Sequence, residues 1–224
     1  MTDRPNVLFV ILDQFRADLL FGDLGKHVQL PNLRALSEES VTFLRHFSVA
    51  SPCGPARASL LSGQYAMNHR SVRNGTPLRR DTPTLATEMR KAGYLPLLFG
   101  YTDTARDPRG LDPNDPVLKG YEEVAPGFLE VVRMRMEDDT GPWKSHLVSK
   151  GYDLTPYPEY FRPTGDDVDS PALWSSEDSD TAFLTDKLIE DLSARPQGWF
   201  SLVTYIRPHP PFHAPAPWNA MYDP

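Results

Sequence analysis

Cysteine is nearly absent: Cys53 is the sole one in 224 residues. A single thiol excludes an intrachain disulfide framework. With no second cysteine to resolve it, it also argues against a dithiol redox centre. Long apolar runs are missing too, so no stretch is suited to crossing a membrane. The first apolar run, Val7 to Leu12, is too short for a signal-peptide core and meets Asp13 without a small-residue cleavage site. One cysteine and no leader set the expectation of a reducing cytoplasm. Positive charge is in deficit: 23 Lys and Arg face 30 Asp and Glu, for a net charge of −7. With no basic stripe either, nucleic acid is not an expected partner. No internal repeat is present, and self-association into a homo-oligomer is left open.

What is there is an ordinary globular composition, long enough to bury a substantial core. The 23 prolines gather in the second half. Aromatic residues are interspersed with them, which points to stiff loops and not to disorder. Asn6–Leu12 is almost continuously apolar and suits a central strand covered on both faces of a parallel sheet. Pro31 starts a helix through Glu39, with Leu33 and Leu36 on one face. Val41–Phe47 is expected to be a short strand, and Pro55–Ser62 a helix stopped by Gly63. Thr82 is expected to cap a helix with Pro83 at its first position, ending at Gly93. Tyr94–Phe99 and Trp199–Ile206 are two further buried-type strands. Between them Ser179 or Asp180 caps a helix carrying Leu184, Leu188 and Leu192. Strands alternating with helices indicate a doubly wound α/β layer with a mostly parallel sheet.

Three strands deliver polar residues at their carboxyl ends: Asp13-Gln14, Tyr101 with its threonines, and His209. Open α/β sheets bind ligands at that edge. A fourth group, Cys53 and Arg57, sits at a turn into a helix, where backbone N–H groups favour negative charge. Asp13 is a hard-metal donor by residue type, though Asp after a strand often only makes a turn. His209 and His213 are four apart, but Pro210-Pro211 between them forbids the helix that would align a zinc pair. Asn74-Gly75 has the form of a tight turn. The acidic runs Glu137-Asp138-Asp139 and Asp166-Asp167 are expected to be solvated loops, without the spacing of a calcium loop.

Cys53-x-Pro55-x-Arg57, extended as CGPARASLLSG over 53–63, resembles the modification signature of type I sulfatases in the alkaline phosphatase superfamily. Asn6–Asp13 resembles the first strand of that family with its metal-binding Asp. Leu30-Pro31-Asn32-Leu33 to Val41-Thr42-Phe43 resembles the segment that follows. Within the superfamily the likeness is to phosphonate monoester hydrolases and related arylsulfatases. It is carried by Asp13-Gln14, Met67-Asn68-His69-Arg70, Gly100-Tyr101-Thr102 and RPHPPF at 207–212. It is weakest over 120–175.

The resemblance implies that residues 1–224 are the N-terminal part of a sulfatase-like catalytic domain, with an irregular insertion at about 105–178. It implies a small anionic sulfate or phosphonate ester as substrate. It also implies that a formylglycine-generating enzyme converts Cys53, whose hydrate is the nucleophile. A divalent metal (Ca, Mn or Mg) would be held by Asp13 and modified Cys53. Arg57 would orient the nucleophile and offset charge, and His209 would contact substrate or protonate the leaving oxygen. Gln14, Asn74 and Tyr101 would line the anion site. Two departures stand out. Asp103 replaces the family's usual Thr after the Tyr, placing a carboxylate near an anionic substrate. The family's remaining metal ligands also lie farther along than residue 224, so little activity is expected of this chain alone. The alternatives are a phosphomonoesterase or phosphodiesterase of the same superfamily, whose nucleophile would be Ser or Thr, and a non-catalytic protein that keeps the fold.

Overall fold

The computed structural model describes residues 4–135, 140–156 and 158–222. Four strands form one sheet: β1 (Val7–Leu12), β2 (Pro96–Gly100), β3 (Leu129–Arg133) and β4 (Phe200–Tyr205). Their spatial order is β1-β4-β2-β3, and every pairing is parallel. Among the described residues, seven α-helices flank or precede the strands. They are α1 (Asp18–Phe21), α2 (Pro31–Glu38), α3 (Cys53–Ser62), α4 (Ala66–His69), α5 (Leu85–Lys91), α6 (Gly141–Ser149) and α7 (Asp180–Ser193). None of the described helices is long and apolar enough to cross a membrane.

The alternation of side chains along a strand distributes the core to both faces of the sheet. Leu97 and Phe99 of β2 join Val203 of β4, Trp143 and Leu147 of α6, and Leu184 and Leu188 of α7. On the opposite face Leu98 and Leu202 pack with Leu61 of α3. β2 and β4 are thus the two central strands, and their residues are almost wholly buried. Burying one such Leu or Phe side chain contributes roughly 1.5–3 kcal/mol.

Several local expectations change. β1 is an edge strand, bonded to β4 alone, and its Leu8 and Val10 are each 46% exposed. A continuous apolar run reports that a strand can be buried, not how many neighbours it finds. Val41–Phe47 forms no strand, and Val41, Phe43, Leu44 and Phe47 are exposed. The α5 cap is Thr84, not Thr82. The Thr84 side chain accepts from the Thr87 N–H, while Thr87 Oγ1 accepts from the Thr84 N–H. The supposedly irregular 105–178 stretch contributes β3, α6 and a set of buried aromatics, Trp143, Tyr160, Phe161 and Trp174. Glu130 and Arg133 interrupt the apolar pattern of β3, which hid the strand. The Glu137-Asp138-Asp139 run lies outside the described residues.

Candidate active site

Parallel pairing brings the carboxyl ends of β1, β2 and β4 to one rim. The Asp13 N–H donates to Tyr205 O across β1 and β4 (3.1 Å). On the other side of β4, Thr204 clamps the backbone that follows β2. Its hydroxyl accepts from the Tyr101 N–H (2.8 Å) and donates to Tyr101 O (2.7 Å). Gly100 permits this approach: its φ is +107°, and a Cβ there would lie 2.3 Å from Thr204 O.

These two strand ends meet in a buried charge cluster. Asp13 Oδ2 accepts from Arg57 Nη2 (3.0 Å) and from the Tyr101 hydroxyl (2.5 Å). Arg57 Nη1 donates to Tyr101 O (3.1 Å), and the guanidinium lies 4.1 Å from the Tyr101 ring centre. Burial pushes the Tyr101 phenol well above its ordinary range, with the Asp13 charge adding to the shift and Arg57 opposing it. The phenol therefore remains a donor to Asp13. Tyr101 sits behind Asp13 and Arg57, so its contact is with them; Gln14, exposed and at φ +60°, reaches the open pocket. The neighbouring threonines turn away. Thr102 Oγ1 donates to Glu123 O (2.8 Å) and accepts from the Ala125 N–H (2.8 Å).

α3 presents Cys53 and, one turn later, Arg57 to the same place. The helix begins at Cys53, two residues earlier than Pro55, and ends at Gly63 in the left-handed region (φ +66°). The Asn74-Gly75 turn caps it from outside: Asn74 Oδ1 accepts from the Gly54 N–H (3.0 Å), and Asn74 Nδ2 donates to Cys53 Sγ (3.1 Å). Behind the helix, His69 Nδ1 accepts from the Ser71 N–H (3.0 Å). Its Nε2 therefore carries the proton and donates to Ser59 Oγ (2.9 Å).

The thiol does not behave as the helix terminus alone suggests. Its pKa is pushed up to about 11 by burial, then by the nearby negative charge of Asp103. The Gly54 N–H is already taken and Pro55 has none, so few helix-terminal donors remain for a thiolate. At pH 7 only about one thiol in ten thousand is ionised at such a pKa. Asp103 is 6% exposed and adopts φ +51°. Among the described residues neither of its carboxylate oxygens has a hydrogen-bond partner. Burial raises its pKa, while Cys53 and Arg57 oppose the rise.

A pocket of about 560 Å³ opens over Asp13, Gln14, Cys53 and Arg57, walled by Phe47, Leu60 and Tyr65. His209 lines a different cavity of similar size. Its Nδ1 lies 2.8 Å from Pro210 O and must donate to it, which leaves Nε2 bare when the ring is neutral. Its charge nevertheless bears on Asp103. The structure thus gathers Asp13, Cys53, Arg57, Asn74, Tyr101 and Gln14, while His209 lines a separate cavity. Thr204 was not singled out beforehand. Its one signal is a threonine inside an otherwise apolar strand.

An implied divalent metal finds a suitable but partial donor set. Asp13 and the orphaned Asp103 carry carboxyl oxygens suited to a hard cation, and residue 53 would add an oxygen donor once converted. Among the described residues, however, no three His, Cys, Asp or Glu side chains group closely enough to hold a metal ion.

Known proteins resemble the chain closely. The multifunctional alkaline phosphatase superfamily protein PehA of Trinickia caryophylli is 37% identical over 98% of this chain and 45% of its own length. The solved phosphonate monoester hydrolase SpPMH of Silicibacter pomeroyi is 59% identical with a TM-score of 0.94, covering 98% of this chain and 44% of that one. The phosphonate monoester hydrolase of Agrobacterium radiobacter is 42% identical with a TM-score of 0.89, over 98% and 44%. The chain therefore spans somewhat less than half the length of these relatives. The fold is that of the alkaline phosphatase and sulfatase-like proteins. The family profile described as Sulfatase matches residues 5–223, and the chain belongs to that family.

Proposed function

We propose that the chain carries the nucleophile half of a hydrolase for sulfate esters or phosphonate monoesters, with residue 53 acting as formylglycine. The observation that carries this reading is the setting of Cys53. Asn74 Nδ2 donates to Sγ, and Arg57, fixed by Asp13, stands one helical turn away beside the same pocket. A thiol held neutral up to about pH 11 is a poor nucleophile as it stands. Its neighbours suit an oxygen nucleophile better, because Asn74 is a neutral donor and Arg57 a permanent cation.

In this reading Sγ marks where the nucleophilic oxygen stands after a formylglycine-generating enzyme has exchanged sulfur and two hydrogens for one oxygen. Asn74 orients that oxygen. Arg57 offsets negative charge on the sulfuryl or phosphoryl group and holds Asp13 in place. Gln14, at the exposed rim, reaches the anion's outer oxygens. Tyr101 holds the Asp13 carboxylate in place by donating to Oδ2 and acts as a positioning residue. His209 donates to a leaving oxygen from Nε2 only as imidazolium, because Nδ1–H is committed to Pro210 O. A divalent calcium, manganese or magnesium ion, bound in part by Asp13 and residue 53, would lower the nucleophile's pKa and screen the anion.

Mass spectrometry of the Cys53 peptide tests the reading, using protein made in cells with the modifying enzyme. The expected result is an aldehyde at residue 53 that a hydrazine reagent traps. An intact thiol, with a sulfatase control converted in the same cells, would overturn it.

A further inference from the structure

The segment that follows α3 grips that helix at two points. At its start the Asn74 carboxamide bridges the Gly54 N–H (3.0 Å) and Cys53 Sγ (3.1 Å). The approach is close: a Cβ on Gly54 would lie 3.3 Å from Asn74 Cα. Farther along α3, Ser59 Oγ accepts from the His69 Nε2–H (2.9 Å). Ser59 and His69 are both buried. Between the two grips the chain leaves α4 through Arg70 at φ +61°, a left-handed conformation that residues other than glycine seldom adopt. Such a conformation persists where its surroundings over-determine it.

The same segment is closed on itself by a relay that begins at His69. Its Nδ1 accepts from the Ser71 N–H (3.0 Å), and Ser71 Oγ donates to Thr76 O (2.7 Å). The Thr76 N–H donates in turn to Arg73 O (3.0 Å), which closes the 73–76 turn around Asn74 and Gly75. Ser71 is buried as well. Both ring nitrogens of His69 are therefore in use, one as donor and one as acceptor. Burial lowers the His69 pKa, which suits a neutral ring in that arrangement.

Neither His69 nor Ser71 lines the pocket over Cys53, so any effect on that site passes through Asn74. Its amide must meet two partners at once. Turned end for end, it would set its NH₂ against the Gly54 N–H, donor against donor. A free asparagine side chain samples other rotamers, and holding it in one costs entropy that a fixed turn has already paid. Small errors of placement at a reacting atom cost rate steeply. We propose that His69 and Ser71 are positioning residues for the nucleophile: they hold the 71–76 turn so that the Asn74 carboxamide meets residue 53 in one orientation. The catalytic consequence rests on the hydrolase reading above, whereas the placement of Asn74 does not.

Hydrogen exchange and NMR of the 224-residue chain, unmodified at Cys53, test the inference. The Gly54 N–H is a direct reporter, because the first N–H groups of a helix have no partner within it and this one is bonded to Asn74 Oδ1. Ser71→Ala removes one buried hydroxyl and leaves Thr76 O without that donor. It should speed Gly54 exchange about tenfold, while Leu202 in the central strand β4 stays within about twofold of wild type. The Asn74 Nδ2 proton signals should move toward those of a free asparagine. His69→Leu removes both ring bonds and should act in the same direction. His69→Gln keeps a donor for Ser59 Oγ and should fall between it and wild type. Unchanged Gly54 exchange and Asn74 signals in Ser71→Ala would overturn the inference, and that variant decides alone if the His69 variants do not fold. Equal acceleration of Gly54 and Leu202 would overturn it too, since that marks general destabilisation without a specific effect on Asn74. An intact thiol in the mass-spectrometry test leaves the exchange result standing, and unchanged exchange leaves an aldehyde at residue 53 standing, so the two failures are distinguishable.

Discussion

Arg57→Met is the substitution whose consequence the structure defines most sharply. Arg57 and Asp13 side chains are only 5% and 9% exposed, and their ion pair spans 3.0 Å. The guanidinium also donates to Tyr101 O and covers the Tyr101 ring. Met fills much of the volume but leaves the Asp13 carboxylate buried with the Tyr101 hydroxyl as its donor. Breaking one side of such a pair costs about 3–5 kcal/mol. That is a large share of a total stability of roughly 5–15 kcal/mol. With a urea dependence of about 2.5 kcal/mol per molar, the unfolding midpoint should fall by roughly 1.5 M. Asp13→Leu/Arg57→Met removes both charges. It should recover much of the loss, leaving mainly the unpaired Tyr101 hydroxyl at about 1–2 kcal/mol. Tryptophan fluorescence in urea reads all of these proteins. A shift under about 0.4 M for Arg57→Met, or a double variant weaker than the single by the full sum, would refute the picture of a buried, coupled pair.

The Cys53 thiol should alkylate with iodoacetamide at a rate that climbs with pH toward a midpoint near 11, and Asp103→Asn should bring that midpoint down; a wild-type midpoint at or below 9 would sink the account. Asp103 has a raised pKa, so its protonated form is the one the fold favours, and stability falls as pH rises through that pKa. Asp103→Asn, which mimics the protonated form, should therefore gain about 1–2 kcal/mol over wild type at pH 8 and less at pH 5, as measured by urea unfolding at both. Gly100→Ala should cost about 3 kcal/mol or more, because its Cβ would meet Thr204 O at 2.3 Å; normal thermal stability would show that the two strands stand farther apart. Thr204→Val should cost about 1–3 kcal/mol by stranding the Tyr101 N–H, and hydrogen exchange at that amide should speed up.

Much of the local structure was legible residue by residue. Gly63 ends α3 because the chain must turn left-handed there, and Ser179 caps α7 by accepting from the Ala182 N–H. The apolar runs around Phe9, Leu98 and Leu202 became strands. The misjudged places share a cause. The edge position of β1, the exposed Val41–Phe47 stretch and β3 within 105–178 depend on which other segments lie alongside. Propensity along the chain carries no record of that. Thr84 displaced Thr82 as the cap because Thr87 bonds back to it, a pairing that a Thr-Pro dipeptide obscures.

For the site, the sequence by itself determined the inventory: Asp13 at a strand end, Cys53 and Arg57 one turn apart on a helix, Asn74 in a tight turn, and the family those residues indicate. Spacing of three and four on a helix is a local geometric fact, so the side-by-side placement of Cys53 and Arg57 needed no tertiary information. Tertiary structure alone decided what surrounds them. It set Tyr101 behind Asp13 and not in the pocket, and it made Thr204 the clamp between β2 and β4. It buried Asp103 beside Cys53 so that the thiol is held neutral, and it closed a cavity beside His209 from two distant loops. Each of these depends on desolvation or on partners about 20 to 100 residues away. Such effects arise only when the sheet has assembled and water has been excluded, and a pattern read along one strand or helix does not contain them.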